Sequence, residues 1–325
     1  MALAPHYLLL LAALLPGQKP DPLADSLKKK LEALPGRTAF LFAELTDKGP
    51  VPLYGVRAEE RFAIGSSFKL YILGTLIAEV NAGRRRAEEI MNLRQDLIGP
   101  PFSEMAEWPT GSPATLHTLA LKMISISDNT ATDHLHYLLG RQRIEEQMAV
   151  MGHRQPAWNL PLLSTREMTM LRDRKAKRAE AYSKMSEAER RRLLDTEIAK
   201  LHDFAKLDFD TAAYDLVEWY ATPLDMAKTL DWIRRHTGSD QPAHSLRAIL
   251  TVETKLKFDP KVWTYVGFKG GSEDQLLCGN WLLQHKNGKW YAFHLYWNNP
   301  AAKVDPKQLA VVLQGIFDAV AGEVK

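Results

Sequence analysis

Cysteine is nearly absent from this 325-residue sequence, which contains Cys278 alone. One thiol excludes a disulfide within the chain and a zinc site made from several cysteines. The surrounding letters QLLCGNWLL predict that this residue is buried in a strand. The neighbouring pair His134 and His136 would point to different faces of a helix, so we expect no metal site there.

A large excess of one charge is also absent. The chain has 42 Lys and Arg residues against 39 Asp and Glu residues, which gives a formal net charge of +3. Much of this charge lies in residues 166–206, a segment rich in both signs. Because no basic stripe interleaved with aromatic residues accompanies it, we expect no nucleic-acid partner.

Long hydrophobic runs are absent beyond the first residues. The N-terminal letters MALAPHYLLLLAALLPGQKPDP hold an apolar core from Tyr7 to Leu15, without the usual positive residues before it. This core has the length of the apolar part of a signal peptide and is too short to span a membrane. We therefore expect residues 1–20 to be a signal peptide and the protein to be periplasmic or secreted, with a cytoplasmic location as the alternative.

The pattern of hydrophobic residues changes along the rest of the chain. TAFLFAEL and VPLYGV predict a hairpin near the N-terminus, and VWTYVGFKGG with QLLCGNWLLQHKNGKWYAFHLYW predicts three strands near the C-terminus. Residues 66 to about 235 have a helical period, and PKQLAVVLQGIFDAVAGEV predicts a final helix.

These elements predict an α/β protein of the α+β type, with a single domain over residues 21–325. Strands at both ends must pair with each other, which predicts one antiparallel sheet built from both termini and flanked by helices. The sheet lobe would comprise residues 36–80 and 236–325. An all-helical lobe would be inserted at residues 81–235 and would carry a charged helical insertion at residues 165–215.

The segment RFAIGSSFKLYILGTLIAEV places Ser66 and Lys69 at the start of an apolar helix. Residues three apart lie on the same helix face. A lysine amine kept neutral by burial or by a nearby positive charge can take a proton from a serine. The alternative is a capping serine and a lysine that extends to water. The same pattern recurs at Ser26 and Lys29, in a charged helix where Lys29 is expected to face solvent.

Two further segments carry candidate functional residues. KMISISDNTATDHLHYLLG contains Ser127 and Asn129, which would project from a loop into a cleft, unless the SDN letters only cap the next helix. YVGFKGGSEDQLL contains Lys269 inside a strand, followed by glycines that include Gly271. Glycines within a strand mark the close approach of a ligand or another backbone, and the alternative is a bulge with an exposed edge lysine.

In this order, the three segments resemble the S-x-x-K, S-D-N and K-T-G elements of the penicillin-recognising serine hydrolases, and most closely the class A β-lactamases. The 61 residues from Ser66 to Ser127 are close to the spacing in that family. YATPLDMAKTL resembles the helix that follows the active-site loop in class A enzymes. The resemblance covers nearly the whole chain from residue 36, and it implies that no cofactor or metal is required.

The resemblance implies three catalytic side chains. Ser66 would be the acylated nucleophile, Lys69 the base or hydrogen-bond organiser, and Ser127 the group that passes a proton to the leaving nitrogen. The backbone N–H groups of Ser66 and Ser272 would form the oxyanion hole.

Substrate binding is implied for the residues beside them. Asn129 would hold the substrate side-chain amide, and Lys269 would attract the substrate carboxylate and help to keep the neighbouring lysine neutral. Gly271 would allow close approach of the substrate. The K-T-G element reads Lys269-Gly270-Gly271 here, so the hydroxyl that the family uses for the carboxylate is absent, although Ser272 could substitute. Carboxylate recognition is therefore expected to be weaker or different.

A second departure concerns deacylation. Class A enzymes carry a glutamate on a loop after the S-D-N helix, whereas this chain has Leu162 and Leu163 near the expected position. Glu167 is the nearest acid, but the letters STRE predict that it forms a capping box with Ser164. Glu218, in DLVEWYATP, is the second candidate for activating water.

The interval between the second and third elements is longer than in the family. It contains RDRKAKRAEAYSKMSEAERRRLLDTEIAKLHDFAKLDF, which predicts a solvated pair of helices, with a capping box at Ser186, or alternatively a lid over the cleft.

Three functions agree with these residues. The first is a serine hydrolase that opens β-lactams or related cyclic amides and esters, with slow deacylation. The second is a peptidoglycan D,D-peptidase or esterase that penicillin inhibits. The third is a non-enzymatic sensor of β-lactams or peptidoglycan that is acylated once. In each case the expected partner is a small molecule, and we expect a monomer.

Overall fold

The computed structural model describes residues 22–100, 103–201, 204 and 207–324. The expected signal peptide, residues 1–20, lies outside the described residues. Within the described part of the chain, no helix is both long enough and apolar enough to cross a membrane.

A five-stranded antiparallel sheet forms the centre of the fold. The strands of the described residues are β1 (Arg37–Thr46), β2 (Gly49–Val56), β3 (Phe62–Ala63), β4 (Ile90–Asn92), β5 (Pro113–Thr115), β6 (Tyr220–Ala221), β7 (Trp263–Glu273), β8 (Leu276–His285) and β9 (Trp290–Asn298). The main sheet has the order β2-β1-β9-β8-β7. β1 pairs with β9, so the predicted sheet from both ends of the chain is confirmed.

Helices cover both faces of this sheet. They are α1 (Pro22–Glu32), α2 (Lys69–Asn81), α3 (Leu116–Ser125), α4 (Asn129–Leu139), α5 (Arg141–Val150), α6 (Thr165–Leu171), α7 (Arg178–Ser183), α8 (Glu187–Thr196), α9 (Pro223–Arg235) and α10 (Pro306–Ala321). α1 and α10 lie on one face, and α2 and α9 lie on the other. The remaining helices lie in the segment between the N-terminal and C-terminal strands, as predicted.

The continuous apolar run TAFLFAEL follows from burial on both faces of the sheet. Phe40 and Phe42 belong to the core beneath α1 and α10, whereas Leu41 and Ala43 belong to the core beneath α2 and α9. A strand covered on both faces is apolar at nearly every position. Cys278 is buried in β8, as predicted.

The predicted all-helical lobe also contains short strands. β4 pairs with β5, and β3 pairs with β6. Segments of two or three residues are too short for an alternating pattern to be visible in the sequence. The second pairing has a consequence for the site, because the N–H of Ile64 donates to the carbonyl of Trp219 at 2.9 Å. The segment that follows the insertion is thereby fixed beside the Ser66 turn.

The charged insertion forms the short helices α7 and α8. Tyr182 and Leu194 are buried against the core, while most charged side chains face outward. Ser186 and Glu189 form the predicted capping box. The insertion returns as an extended segment that meets the end of α6, where the N–H of Asp210 donates to the carbonyl of Arg172 at 2.8 Å.

Candidate active site

Gly65 and Gly271 allow the backbone of the Ser66 turn to pack directly against the backbone of β7. The turn is a 3-10 helix, Gly65–Phe68, that leads directly into α2. Gly65 has φ +48°, and a Cβ there would lie 3.3 Å from the Ser272 nitrogen. A Cβ on Gly271 would lie 2.0 Å from the carbonyl oxygen of Ile64 and 2.8 Å from the Ser66 nitrogen. The backbone amides proposed for the oxyanion hole therefore belong to segments in direct contact.

The two adjacent serines of the turn have different environments. Ser66 is partly exposed and lines two cavities. Ser67 is fully buried, accepts a hydrogen bond from Asn280 Nδ2 at 2.8 Å, and lies 3.1 Å from Cys278 Sγ. The hydroxyl of Ser66 is thus available to a ligand, whereas that of Ser67 belongs to the core beneath β8.

Lys69 is buried at the first residue of α2, so the alternative in which its amine extends to water is wrong. Its Nζ lies 2.5 Å from the Ser127 carbonyl oxygen, 3.1 Å from Ser127 Oγ and 2.8 Å from Asn129 Oδ1. A direct bond to Ser66 is not among the hydrogen bonds of the described residues. Burial, reinforced by the positive charge of Lys269, holds the pKa of Lys69 well below its usual value. This lowered pKa favours the neutral amine, which is the form that can accept a proton.

The SDN segment has both of the roles considered for it, at different residues. Asp128 caps α4 by accepting from the N–H of Ala131 at 2.8 Å. Ser127 and Asn129, on either side, contact Lys69. Ser127 has φ +61°, a left-handed conformation that is strained for serine. The strained residue is therefore the one whose hydroxyl contacts both Lys69 and Lys269.

Lys269 is buried on β7, so the alternative of an exposed edge lysine is wrong. Its Nζ donates to Ser127 Oγ at 3.1 Å and to the carbonyl of Gly270 at 2.6 Å. Burial lowers the pKa of Lys269 to about 7. Its own carbonyl accepts from Asn280 Nδ2 at 3.0 Å, and the same amide donates to Ser67. Asn280 thereby ties the lysine strand to the serine turn.

Ser66 and Ser272 lie where two cavities meet. The smaller cavity, about 290 Å³, is also lined by Asn129, Thr165 and Trp219. The larger cavity, about 560 Å³, is also lined by Ser127, Lys269, Gly271 and Lys255. The candidate nucleophile Ser66 and its oxyanion-hole partner Ser272 thus occupy the junction, with Asn129 on one side and Ser127 on the other.

Glu167 forms the predicted capping box with Ser164. Its carboxylate also forms an ion pair with Arg141 at 2.6 Å. Burial opposes ionisation, but the Arg141 charge and the hydrogen bonds outweigh it and hold the pKa of Glu167 below its usual range. Other residues of α6, namely Thr165 and Met168, line the smaller cavity. The Glu167 carboxylate therefore holds the N-terminus of α6 in place through its capping box and its ion pair.

Glu218 is completely buried in an ion pair with Arg172 at 2.7 Å. The same guanidinium binds both carboxylate oxygens of Glu273, at 2.9 and 2.7 Å, and donates to the carbonyls of Asp210 and Thr211. Burial, followed by the negative charge of Glu273, raises the pKa of Glu218 well above its usual value. Arg172 thereby fastens the end of the insertion to the end of β7, next to Ser272.

We expect Arg172→Met to lower the free energy of unfolding by about 3–5 kcal/mol, because it leaves two acids without their buried partner. Arg174→Met is the matched control, since Arg174 is 56% exposed and its ion pair is worth at most about 1 kcal/mol. Urea denaturation of both variants measures the difference. Equal losses would show that the buried cluster does not hold the insertion.

Sequence reasoning missed several residues that shape the site. Asp133 accepts from the N–H and the hydroxyl of Thr165, both at 2.8 Å, and from the N–H of Arg166 at 2.9 Å. Trp219 stacks on Phe68 at 3.8 Å between ring centroids. Asp133 follows Asn129 by one helical turn, and this spacing was the available signal for it.

Lys255 is a second cation in the larger cavity that sequence reasoning missed. It has φ +60°, and its Nζ lies 3.1 Å from Glu253. Its positive charge helps to lower the pKa of Lys269, although burial is the main cause. Lys255 thus adds a second cation to the cavity wall that contains Lys269 and Gly270.

A partly exposed serine on the turn that leads into a helix, a buried lysine of lowered pKa at the first residue of that helix, and a second serine in contact with this lysine form the arrangement of an active-site serine hydrolase. The model of the beta-lactamase enzyme family matches residues 22–289, and the chain belongs to that family. It is a serine hydrolase of the β-lactamase type.

Solved structures share the same fold. A beta-lactamase from Chitinophaga pinensis is 15% identical with a TM-score of 0.68, covering 94% of this chain and 100% of that chain. A beta-lactamase from Sphaerobacter thermophilus is 18% identical with a TM-score of 0.65, covering 93% and 97%. A mutant of PBP-A, solved as an acyl-enzyme complex with penicillin-G, is 17% identical with a TM-score of 0.66, covering 93% and 95%. At these identities the likeness concerns the fold.

Proposed function

We propose that the protein is a class A-like serine hydrolase that is acylated at Ser66 by β-lactams or related amides and esters. The observation that carries this proposal is the convergence of Lys69 and Lys269 on Ser127, beside a serine at the junction of two cavities. The PBP-A mutant, which has the same fold, forms an acyl-enzyme with penicillin-G.

Acylation would follow from the hydrogen-bond pattern. Ser66 Oγ attacks the carbonyl carbon while the neutral amine of Lys69 takes its proton. The N–H groups of Ser66 and Ser272 stabilise the negative charge on the carbonyl oxygen. The C–N or C–O bond then breaks, and Ser127 passes a proton to the leaving atom. Lys69 Nζ contacts the Ser127 carbonyl and Asn129 Oδ1 and lies 3.1 Å from Ser127 Oγ, so the proton that it takes from Ser66 can return through Ser127 to the leaving atom.

The second candidate is a D,D-peptidase or esterase that penicillin inhibits. The observation that favours it is the engagement of both candidate deacylation acids, Glu167 with Arg141 and Glu218 with Arg172. The third, a sensor, would give one equivalent of product and stop. Intact-mass measurement with a panel of penicillins and acyl-D-Ala-D-Ala esters separates the three, and absence of an adduct and of turnover with every compound would contradict all of them.

Export and monomeric state are part of the proposal. The apolar N-terminal stretch within residues 1–20 supports a signal peptide and a periplasmic or secreted location. N-terminal sequencing of the mature protein would test cleavage, and light scattering would test the monomer. An uncleaved N-terminus in the cytoplasmic fraction would favour the alternative location.

The preference for anionic substrates is expected to fall as pH rises through about 7. The pKa of Lys269 is lowered by burial to about 7, so its amine is charged below this pH and neutral above it. A charged hydrogen bond to a carboxylate should favour an anionic penicillin over a neutral ester about tenfold at acidic pH. Acylation rates of both compounds, measured between about pH 5.5 and about pH 8.5 on either side of this pKa, give this ratio.

Lys269→Ala should remove the pH step in that ratio, whereas Lys286→Ala, at an exposed position near the end of β8, should retain it. If Lys269→Ala slows both substrates equally, Lys269 acts by tuning Lys69 and not by binding the carboxylate.

A further inference from the structure

The larger cavity extends well beyond the residues assigned to chemistry. From Ser66 and Lys269 it continues past Gly270 to the opposite face of the sheet. Its far part lies between the strands β7, β8 and β9 and the helix α10. It is lined there mainly by apolar side chains, including Leu277, Leu295, Leu309 and Leu313. Ser66 therefore lines a cavity with a large apolar part that the proposed reaction does not use.

Gly270 lies where the cavity passes around β7. β7 is the last strand of the main sheet in the described part of the chain. Gly270 is paired with Gly279 of β8, so two neighbouring positions on the α10 side of the sheet lack side chains. The rings of Phe268 and Trp281 lean over these glycines, since a Cβ would lie 2.7 Å from Phe268 Cζ and 2.2 Å from the Trp281 ring. Aromatic rings thus occupy the space above both glycines, where the K-T-G hydroxyl is missing, and form an apolar part of the cavity wall.

The positions of the proposed catalytic groups decide which part of a substrate enters this cavity. Asn129, proposed to hold the amide of the acyl group, lines the smaller cavity. Ser127, proposed to protonate the leaving atom, lines the larger one together with Lys255 and Lys269. The acyl group and the leaving group are therefore directed to opposite sides of Ser66.

We propose that the preferred substrate has an amphiphilic leaving group, with a carboxylate bound by Lys255 and Lys269 and an apolar tail that passes over Gly270 toward α10. The inference rests on the proposed function and specifies its substrate class. Two cations, Lys255 and Lys269, and one acid, Glu253, which pairs with Lys255 at 3.1 Å, line the cavity, so their formal charges leave one positive charge for a substrate carboxylate. The apolar side chains of the α10 side match a hydrocarbon chain. Each buried methylene should raise kcat/KM about three- to fourfold until the cavity is filled.

Esters that share one acyl group, N-acetyl-D-alanyl, and differ in the leaving 2-hydroxy acid test this inference. The leaving groups are D-lactate, D-2-hydroxyhexanoate and D-2-hydroxydecanoate, so the carboxylate is constant and the tail grows. We expect kcat/KM to rise at least about tenfold from the first to the second. A flat series would overturn the inference.

A bulky residue at the far end should remove this dependence on length. Ala310 lines the cavity from the exposed side of α10, so Ala310→Trp can occupy the space without disturbing the buried core. Val311, 76% exposed on the same helix, provides the matched control Val311→Trp, which should keep the wild-type series. Gly270→Thr, which crowds Phe268 at the passage, should flatten the series from the other end. Retention of the full dependence in both cavity variants would contradict the assignment.

Direct binding separates this inference from the proposed function. In Ser66→Ala, titration calorimetry with the free acids should give at least about tenfold tighter binding for D-2-hydroxydecanoate than for D-lactate, and Ala310→Trp should cancel the difference. If no ester is hydrolysed by the wild type, the proposed function fails while the binding result still decides the inference. Equal affinities for the two acids would refute it.

Discussion

Ser66→Ala is expected to abolish covalent labelling by a fluorescent penicillin while the fold remains intact. Ser66 is the serine of the turn that lines both cavities, whereas Ser67 is buried against Asn280 and Cys278. Removing the nucleophile removes the covalent step itself, so labelling should fall to background. Gel fluorescence after a short incubation measures the loss, and circular dichroism checks the fold.

The chain supplies a matched control for this experiment. Ser26 lies in the same S-x-x-K pattern but is exposed on α1. Ser26→Ala should label as strongly as the wild type. Labelling of Ser66→Ala at the wild-type level would show that the nucleophile lies elsewhere and would remove the basis of the proposed mechanism.

A persistent acyl-enzyme is the second large effect expected. Hydrolysis of the ester needs a positioned base that takes a proton from water, and general-base catalysis contributes about a hundredfold to ten-thousandfold. Glu167 is committed to Arg141 and its capping box, and Glu218 is buried against Arg172. Without either, the adduct should last for minutes or longer. Mass spectrometry of a penicillin reaction quenched at increasing times follows its decay.

Variants of the two acids sharpen this prediction. Because neither carboxylate is placed to activate water, Glu167→Gln and Glu218→Gln should leave the lifetime of the adduct unchanged. Rapid turnover in the wild type with no detectable adduct would contradict the prediction. If Glu218→Gln then trapped the adduct, Glu218 would be the water-activating acid.

Most of the fold could be predicted because it depends on local patterns. The strands near both ends have alternating or continuous apolar runs with recognisable turns, such as Asn287-Gly288, where Gly288 has φ +87°. The capping boxes at Ser164 and Ser186 were predicted equally well, because they depend on residues three positions apart. The paired strands β3 and β6 left no signal, since two residues show no period and their pairing joins distant parts of the chain.

The candidate site could be predicted in part. Ser66, Lys69, Ser127 and Lys269 were named from motifs, and the structure brings the two lysines onto one hydroxyl. The relay geometry was not predictable, because the contact of Lys69 with Ser127 in place of Ser66 depends on how α4 packs against α2. The roles of these residues in catalysis stay predictions.

The clusters around the site could not be predicted for a related reason. Arg172 lies in a segment whose charged letters indicate a solvated surface, yet it is completely buried. Its partners Glu218 and Glu273 are distant in sequence, and each alone is an ordinary acid. Burial of an ion pair depends on three-dimensional packing, so no local sequence pattern predicts it.

The pairing of β1 with β9 determines the order in which the protein can be assembled. During synthesis the hairpin of β1 and β2 emerges first, but its open edge has no partner until β9 has been made. Contacts between the two ends of a chain have a high cost in loop entropy and slow the folding of a domain. The edge of β1, which includes Phe40 and Phe42, is meanwhile open to pairing with other chains. This fold should therefore depend on rapid completion of its C-terminal strands, and interruption within β9 would leave an aggregation-prone hairpin.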